Sequence, residues 1–132
     1  GTSFYYRLKD SGKIVSNCHR LPQELFTKEQ ASVEDMVLSF SQMMNRLWNL
    51  DPHKKLIFTV SPVRYLRDGF IQNTRSKAAL LLCCEILEKK FENVFYFPSY
   101  ELLMDDLRDY RFTQEDIVHP TSQTIDYIWN YF

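Results

Sequence analysis

The chain has 132 residues, 45% hydrophobic and 25% charged, the composition of one ordinary globular domain, and it is long enough to bury roughly two-thirds of its unfolded surface without a metal or disulfide staple. Sixteen Lys plus Arg against seventeen Asp plus Glu give a formal net charge of -1, which leaves no electrostatic drive toward phosphate backbones or anionic lipid and argues against nucleic acid as a partner. Only three glycines are present, and none forms a cluster able to cradle a phosphate.

The opening Gly1-Thr2-Ser3-Phe4 carries no methionine, charged leader or apolar signal, so the chain is expected to be a piece of something longer. Aromatic, β-prone residues 4–8, the Asp10-Ser11-Gly12 turn and the alternating residues 13–16 predict a β-hairpin. Residues 21–29, with Pro22 and mixed polarity, read as a surface loop with a helical turn around 23–26. Ser32 is placed to cap a helix with Glu34 and Asp35 in its first turn; Val33, Met36, Val37, Phe40, Met43, Met44, Leu47 and Trp48 form its apolar stripe, and Asp51-Pro52 stops it near Asn49.

Residues 55–60 form a β-branched and aromatic run closed by Ser61-Pro62, as in a central parallel strand covered on both faces. After a loop over 61–73, Thr74 is the candidate cap of a helix over 74–91 whose period is marked by Ala78, Leu81, Leu82, Glu85, Ile86 and Lys89. A short strand over 94–97 follows, ended by Pro98; then come a short helix over 100–106 and a terminal one over 122–132 with Ile125, Ile128, Trp129 and Phe132 as its stripe. Trp48 and Trp129 are both expected in the core. Strand, helix, strand makes a βαβ unit, hence a single α/β domain over 1–132. No apolar stretch reaches the ~18 to 20 residues of a membrane span. Cys18, Cys83 and Cys84 are an odd set with an adjacent pair, which disfavours a disulfide framework and suits a reducing, cytoplasmic setting.

Ligands of such sheets bind beyond the carboxyl ends of the strands, which directs attention to Gly1-Thr2, to Ser61-Pro62-Val63-Arg64, to Pro98-Ser99-Tyr100-Glu101 and to residues 108–120. In Asp116-Ile117-Val118-His119-Pro120 the carboxylate can turn onto imidazole Nδ1 and leave Nε2 free to take a proton from a hydroxyl; a helix-capping Asp beside a surface His is the alternative. His19, His53 and His119 lie too far apart in sequence for a zinc site, and no cofactor is expected. Ser61 ends a strand, yet Pro62 removes the N–H an acyl-enzyme would use, so a positioning role is preferred. Arg64 can bind a substrate carboxylate or phosphate, or else Arg64 or Arg67 pairs with Asp68, Asp106 or Asp109, and Arg108, Asp109 and Arg111 are expected to brace the histidine loop. Tyr5, Tyr6, Tyr96 and Tyr100 either line an acyl pocket or pack as ordinary strand residues.

The runs Thr59-Val60-Ser61-Pro62-Val63-Arg64, Leu66-Arg67-Asp68-Gly69, Tyr96-Phe97-Pro98-Ser99-Tyr100-Glu101, Leu107-Arg108-Asp109-Tyr110-Arg111-Phe112 and Asp116-Ile117-Val118-His119-Pro120 closely resemble the GSCFA-domain family, as do Gly1-Thr2-Ser3 and Asn17-Cys18-His19-Arg20-Leu21-Pro22. The resemblance covers nearly the whole chain and implies kinship with the SGNH/GDSL hydrolases: a three-layer α/β/α fold with a mainly parallel, flavodoxin-like sheet, here lacking its N-terminal strands. It also implies that Asp116 and His119 are the acid and base of a catalytic triad. The family's nucleophile sits in a Gly-Ser-Cys-Phe-Ala motif that this sequence does not contain, so the chain is expected to be catalytically incomplete.

An oxyanion-hole loop is implied after the strand ending at Gly1, where related hydrolases carry Gly-x-Asn. Ser3 stands at the Asn position, which leaves Asn17 as the nearest substitute, a turn-stabilising Asn being the alternative, with Gly1, Thr2, Ser61 and Arg64 as further oxyanion or substrate contacts. The expected function is that of a serine esterase acting on a small-molecule or carbohydrate ester. The alternatives are a non-catalytic binding or scaffold module on the same fold, and an O-acyltransferase.

Overall fold

The computed structural model describes residues 1–18 and 20–132; His19, weighed above as a metal ligand and as part of a family-like run, lies outside the described residues. A hairpin of β1 (Phe4–Leu8) and β2 (Ile14–Val15) forms as its alternation and turn predict, with Tyr6 opposite Val15. Beyond the 3-10 turn Gln23–Leu25, however, the expected loop is a strand, β3 (Phe26–Gln30), which pairs antiparallel with β1 and completes a sheet of order β2-β1-β3. β3 shows no apolar alternation because polar cross-strand partners hold it. Glu29 accepts from Arg7 Nε at 2.9 Å and Tyr5 Oη at 2.7 Å, and the Lys28 ammonium lies 4.7 Å over the Phe4 ring and pairs with Asp68.

Helix α1 (Val33–Leu50) starts where its cap predicts, with Ser32 Oγ accepting Asp35 N–H at 3.0 Å. It buries Met36 and Met44, whereas Met43, on the expected stripe, is exposed. Strand β4 (Leu56–Phe58) pairs in parallel with β5 (Val94–Tyr96), Ile57 opposite Phe95. Between them runs α2 (Gly69–Lys90), five residues longer at its start than Thr74 implied. Thr74 is not its cap; its hydroxyl donates to Phe70 O at 3.0 Å inside the helix, and Gly69, at φ +80°, supplies the left-handed entry that residues with a Cβ resist.

The buried face of α2 also differs from expectation. Leu82 and Ile86 are exposed, and the helix turns Asn73, Ser76, Lys77, Cys83, Cys84 and Leu87 inward. The second half of that face joins Met36, Met44 and Val94 in the core, with Phe40, Phe58, Leu80 and Phe91 packed around them. Polar residues fill the first half, each with partners described below. The chain is thus a mixed α/β structure in which α1 and α2 cover one face of the parallel pair.

Coverage of β4 on both faces is not met among the described residues, since Ile57 is 55% and Phe95 42% exposed and β4 has β5 as its partner there. The chain continues through α3 (Ser99–Glu101), a π-helical turn Leu102–Leu107 and a 3-10 turn Tyr110–Phe112 to α4 (Ser122–Tyr131). Trp129, expected in the core, is 65% exposed: with Ile128 and Phe132 it borders an open apolar groove of about 370 Å³ floored by Ile57 and Phe97. Trp48 does pack on the core, tilted against Phe91 at 5.2 Å. No helix among the described residues is long and apolar enough to cross a membrane.

Candidate active site

The segments that leave β4 and β5 are tied to each other and to both remaining candidate loops. Lys77 Nζ donates to the Gly1 carbonyl at 2.9 Å and to the Ser61 carbonyl at 2.6 Å. Ser99 Oγ donates to Val60 O at 3.0 Å and lies 2.6 Å from Thr59 Oγ1, fixing the start of α3 to the end of the β4 segment. Arg64 reaches the histidine loop twice, through its backbone N–H to Val118 O at 3.3 Å and through Nη1 to Ile117 O at 2.8 Å. All four segments singled out from the sequence therefore meet at one rim.

That histidine loop is closed at its base by the pairing of Thr113 with Pro120 and by Gln114 N–H donating to His119 O at 2.8 Å. Thr124, fully buried, donates from Oγ1 to Phe112 O at 2.6 Å and anchors the loop to α4. At its tip Ile117 adopts φ +53°, a left-handed conformation that costs an L-residue about 1–2 kcal/mol. The interactions on either side of it hold it there. Asp116 Oδ1 accepts the N–H groups of Val118 at 2.9 Å and His119 at 3.0 Å, and Arg64 takes the Ile117 carbonyl.

The other oxygen, Asp116 Oδ2, lies 2.6 Å from His119 Nδ1. The imidazole, then the two backbone donors, hold the Asp116 carboxyl down at about 2. An ionised carboxylate only accepts, so Nδ1 carries a proton, and in the neutral ring that leaves the lone pair on Nε2; Nε2 has no hydrogen-bond partner among the described residues. Both side chains reach solvent, His119 at 56% and Asp116 at 45% exposure. The capping alternative for Asp116 fails, because Thr121 caps α4 with Oγ1 accepting Thr124 N–H at 3.3 Å.

Other candidates are placed as follows. Arg64 makes none of the expected ion pairs among the described residues; its guanidinium stacks 5.4 Å over Tyr110, while Asp68 pairs with Lys28, Asp106 accepts Tyr127 Oη, and Asp109 pairs with Arg111 at 3.2 Å. The brace on the histidine loop is thus Arg64, where the sequence suggested Arg108, Asp109 and Arg111. Ser61 turns its Oγ onto Val63 N–H at 3.3 Å, and its carbonyl accepts from Lys77. Ser3 is buried, its Oγ 3.0 Å from Ser76 Oγ and accepting Gln30 Nε2 at 3.1 Å, so position 3 presents no side-chain donor to the rim.

Thr2 Oγ1 is 3.1 Å from Ser76 Oγ. Asn17 is exposed in the bend just past β2. The tyrosines divide: Tyr5 and Tyr6 belong to the antiparallel sheet, Tyr96 donates to Glu101, and Tyr100 lies 5.8 Å from Lys77. Among the described residues no three His, Cys, Asp or Glu side chains are grouped to hold a metal.

Sequence reasoning missed Lys77, Ser76 and Asn73. Their signal is the i, i+3, i+4, i+7 spacing through Leu80, Cys83 and Leu87, which emerges only when polar residues count as buried. Asn73 Oδ1 accepts Tyr65 N–H at 2.8 Å, and Ser76 Oγ accepts Ser3 N–H at 2.7 Å.

Arg64→Lys keeps the charge but gives up the planar fork that takes Ile117 O while stacking on Tyr110. Expected is faster amide exchange at Val118 and His119, by about tenfold, with global stability within ~1 kcal/mol of wild type; exchange unchanged at both amides refutes the brace.

A family model described as the GSCFA family matches residues 1–132. No curated protein and no solved structure matches the chain.

Proposed function

Because the chain belongs to the GSCFA family, we propose that it is the C-terminal part of a serine esterase-like hydrolase of the SGNH type, with His119 as general base and Asp116 as the acid that orients it. Its substrate is an ester or O-acyl compound, small or carbohydrate. The nucleophile is a serine of the family's Gly-Ser-Cys-Phe-Ala motif, a run that does not occur in residues 1–132. On this reading the segment bearing that motif also supplies further parallel strands beside β4 and the layer that covers Ile57 and Phe95, giving the three-layer sandwich. The free cysteines Cys18, Cys83 and Cys84 fit a reducing compartment, the cytoplasm.

The observation that carries this reading is the Asp116–His119 contact at the rim, which fixes the tautomer with Nε2 free. Nε2 takes the serine proton as Oγ bonds to the substrate carbonyl carbon, and the ionised Asp116 stabilises the imidazolium that forms. The same proton then passes to the departing alkoxide, leaving an acyl-serine, and a water activated by Nε2 releases the acid. Arg64 holds the loop in register throughout.

The test uses the polypeptide that carries both this chain and the Gly-Ser-Cys-Phe-Ala segment, treated with a fluorophosphonate and assayed on short acyl esters and O-acetylated sugars. Labelling of the motif serine and ester hydrolysis, both lost in His119→Ala, are expected. Absence of labelling points to the binding module; labelling with acyl transfer to an alcohol in place of hydrolysis points to the acyltransferase.

A further inference from the structure

We propose that Lys77 is a positioning residue of this site and that the group it positions is the Thr2 N–H, which serves as an oxyanion donor; this rests on the hydrolase reading above. Lys77 is only 2% exposed and has no carboxylate partner among the described residues. Its ammonium is held by two backbone carbonyls, those of Gly1 and Ser61, and its stem enters from α2 beneath both.

A trans peptide sets its C=O and N–H in opposite directions. Drawing the Gly1 carbonyl onto Lys77 therefore turns the Thr2 N–H away from α2. Ser76, the preceding residue on the same helix, completes the clamp by meeting Thr2 Oγ1 at 3.1 Å and taking the Ser3 N–H at 2.7 Å.

Three neighbouring backbone positions are then used up. Ser3 N–H is committed to Ser76, the peptide after Ser61 belongs to Pro62 and has no N–H, and Val63 N–H is committed to Ser61 Oγ. Thr2 N–H has no acceptor among the described residues, and Thr2 is half-buried. Donation by Lys77 to the Gly1 oxygen polarises the same peptide and strengthens its N–H as a donor.

The donor and the base share one rim. Lys77 joins Gly1 to Ser61, and Arg64 joins Val118; Ser61 and Arg64 are three residues apart, at most about 11 Å of extended chain. With position 3 turned inward, a backbone donor at position 2 supplies what a side-chain amide at position 3 cannot.

In the polypeptide carrying the nucleophile segment, Lys77→Met is expected to lower kcat for a short acyl ester by about 10²–10³-fold with KM within threefold, the pattern of a donor used only in the transition state. In the wild type, the Thr2 amide proton is expected to shift downfield when a phosphonate adduct forms on the serine, a readout that needs no variant. A labelled protein whose Thr2 amide does not move, or whose folded Lys77→Met variant keeps its kcat, overturns this inference alone. A wild type that takes up no phosphonate overturns the hydrolase reading and this inference with it.

Discussion

In the polypeptide that carries the nucleophile segment, Asp116→Asn is expected to lower kcat for ester hydrolysis by about 10⁴-fold, and His119→Ala by at least as much, with KM little changed. His119 Nδ1 sits 2.6 Å from Asp116 Oδ2, and only an acceptor there keeps the proton on Nδ1. An amide can offer its NH₂ instead, which stabilises the opposite tautomer and protonates the nitrogen that must act as base. The two backbone donors to Oδ1, from Val118 and His119, already orient the carboxyl group, so the loss measures tautomer and charge more than misplacement.

The pH profile separates the pair. Asp116 is held at about 2, below its ordinary value of 3.8, so its link to the ring strengthens the folded loop above that ordinary value and is lost only as pH falls through about 2. A decline of activity between pH 4 and 7 is then not the titration of Asp116. Measured kcat and kcat/KM from pH 4 to 8 for wild type and both variants check this; a His119→Ala enzyme with wild-type kcat ends the proposal.

The second large effect concerns stability. Lys77 is 2% exposed, and burial lowers its pKa from 10.5 to about 8. Below pH 8 both folded and unfolded chains hold the proton, and the folded chain bears the full penalty of a buried ammonium. Between pH 8 and 10.5 the unfolded chain still holds a proton that the folded one has released, so this residue's contribution to stability rises with pH. Neutral Lys77 still has two N–H groups for its two carbonyls, so deprotonation leaves both bonds in place.

Relative to Lys77→Met, wild type is therefore expected to gain about 2–3 kcal/mol in urea-unfolding free energy from pH 7 to pH 10. Cys84, pushed up to about 11 by burial, and Tyr96, raised by burial and by Glu101, act in the opposite direction. Both are present in the two proteins, so they cancel in the difference, whereas the Gly1 ammonium, lowered to about 6 by burial and then by Lys77, does not. Tyr65 and Tyr100, whose rings face the ammonium at 5.9 and 5.8 Å, are common to both as well. A stability gap independent of pH contradicts the buried ammonium.

Short-range interactions in this protein are legible in the sequence. Ser32 caps α1, Pro52 follows its end, the Asp10-Ser11-Gly12 turn closes the hairpin, and the Asp-x-x-His spacing lets one carboxylate reach both the ring and two nearby N–H groups. Each of these needs partners only a few residues away, so local chemistry suffices. β3 was not legible, because its pairing rests on Arg7 and Tyr5 meeting Glu29 from another strand, and those contacts leave no apolar alternation in residues 26–30.

Trp129 and Leu82 look like core residues in isolation, yet a stripe becomes core only where another element covers it. What the sequence by itself determined is the order of the elements from α1 onward, the family-like motifs and the Asp116–His119 pair. Only the tertiary structure decided which face of α2 turns inward. A face bearing Asn73, Ser76 and Lys77 can be buried only if Tyr65 N–H, Ser3 and the carbonyls of Gly1 and Ser61 arrive to satisfy it, and three of those four partners lie on segments 16 to 76 residues away along the chain.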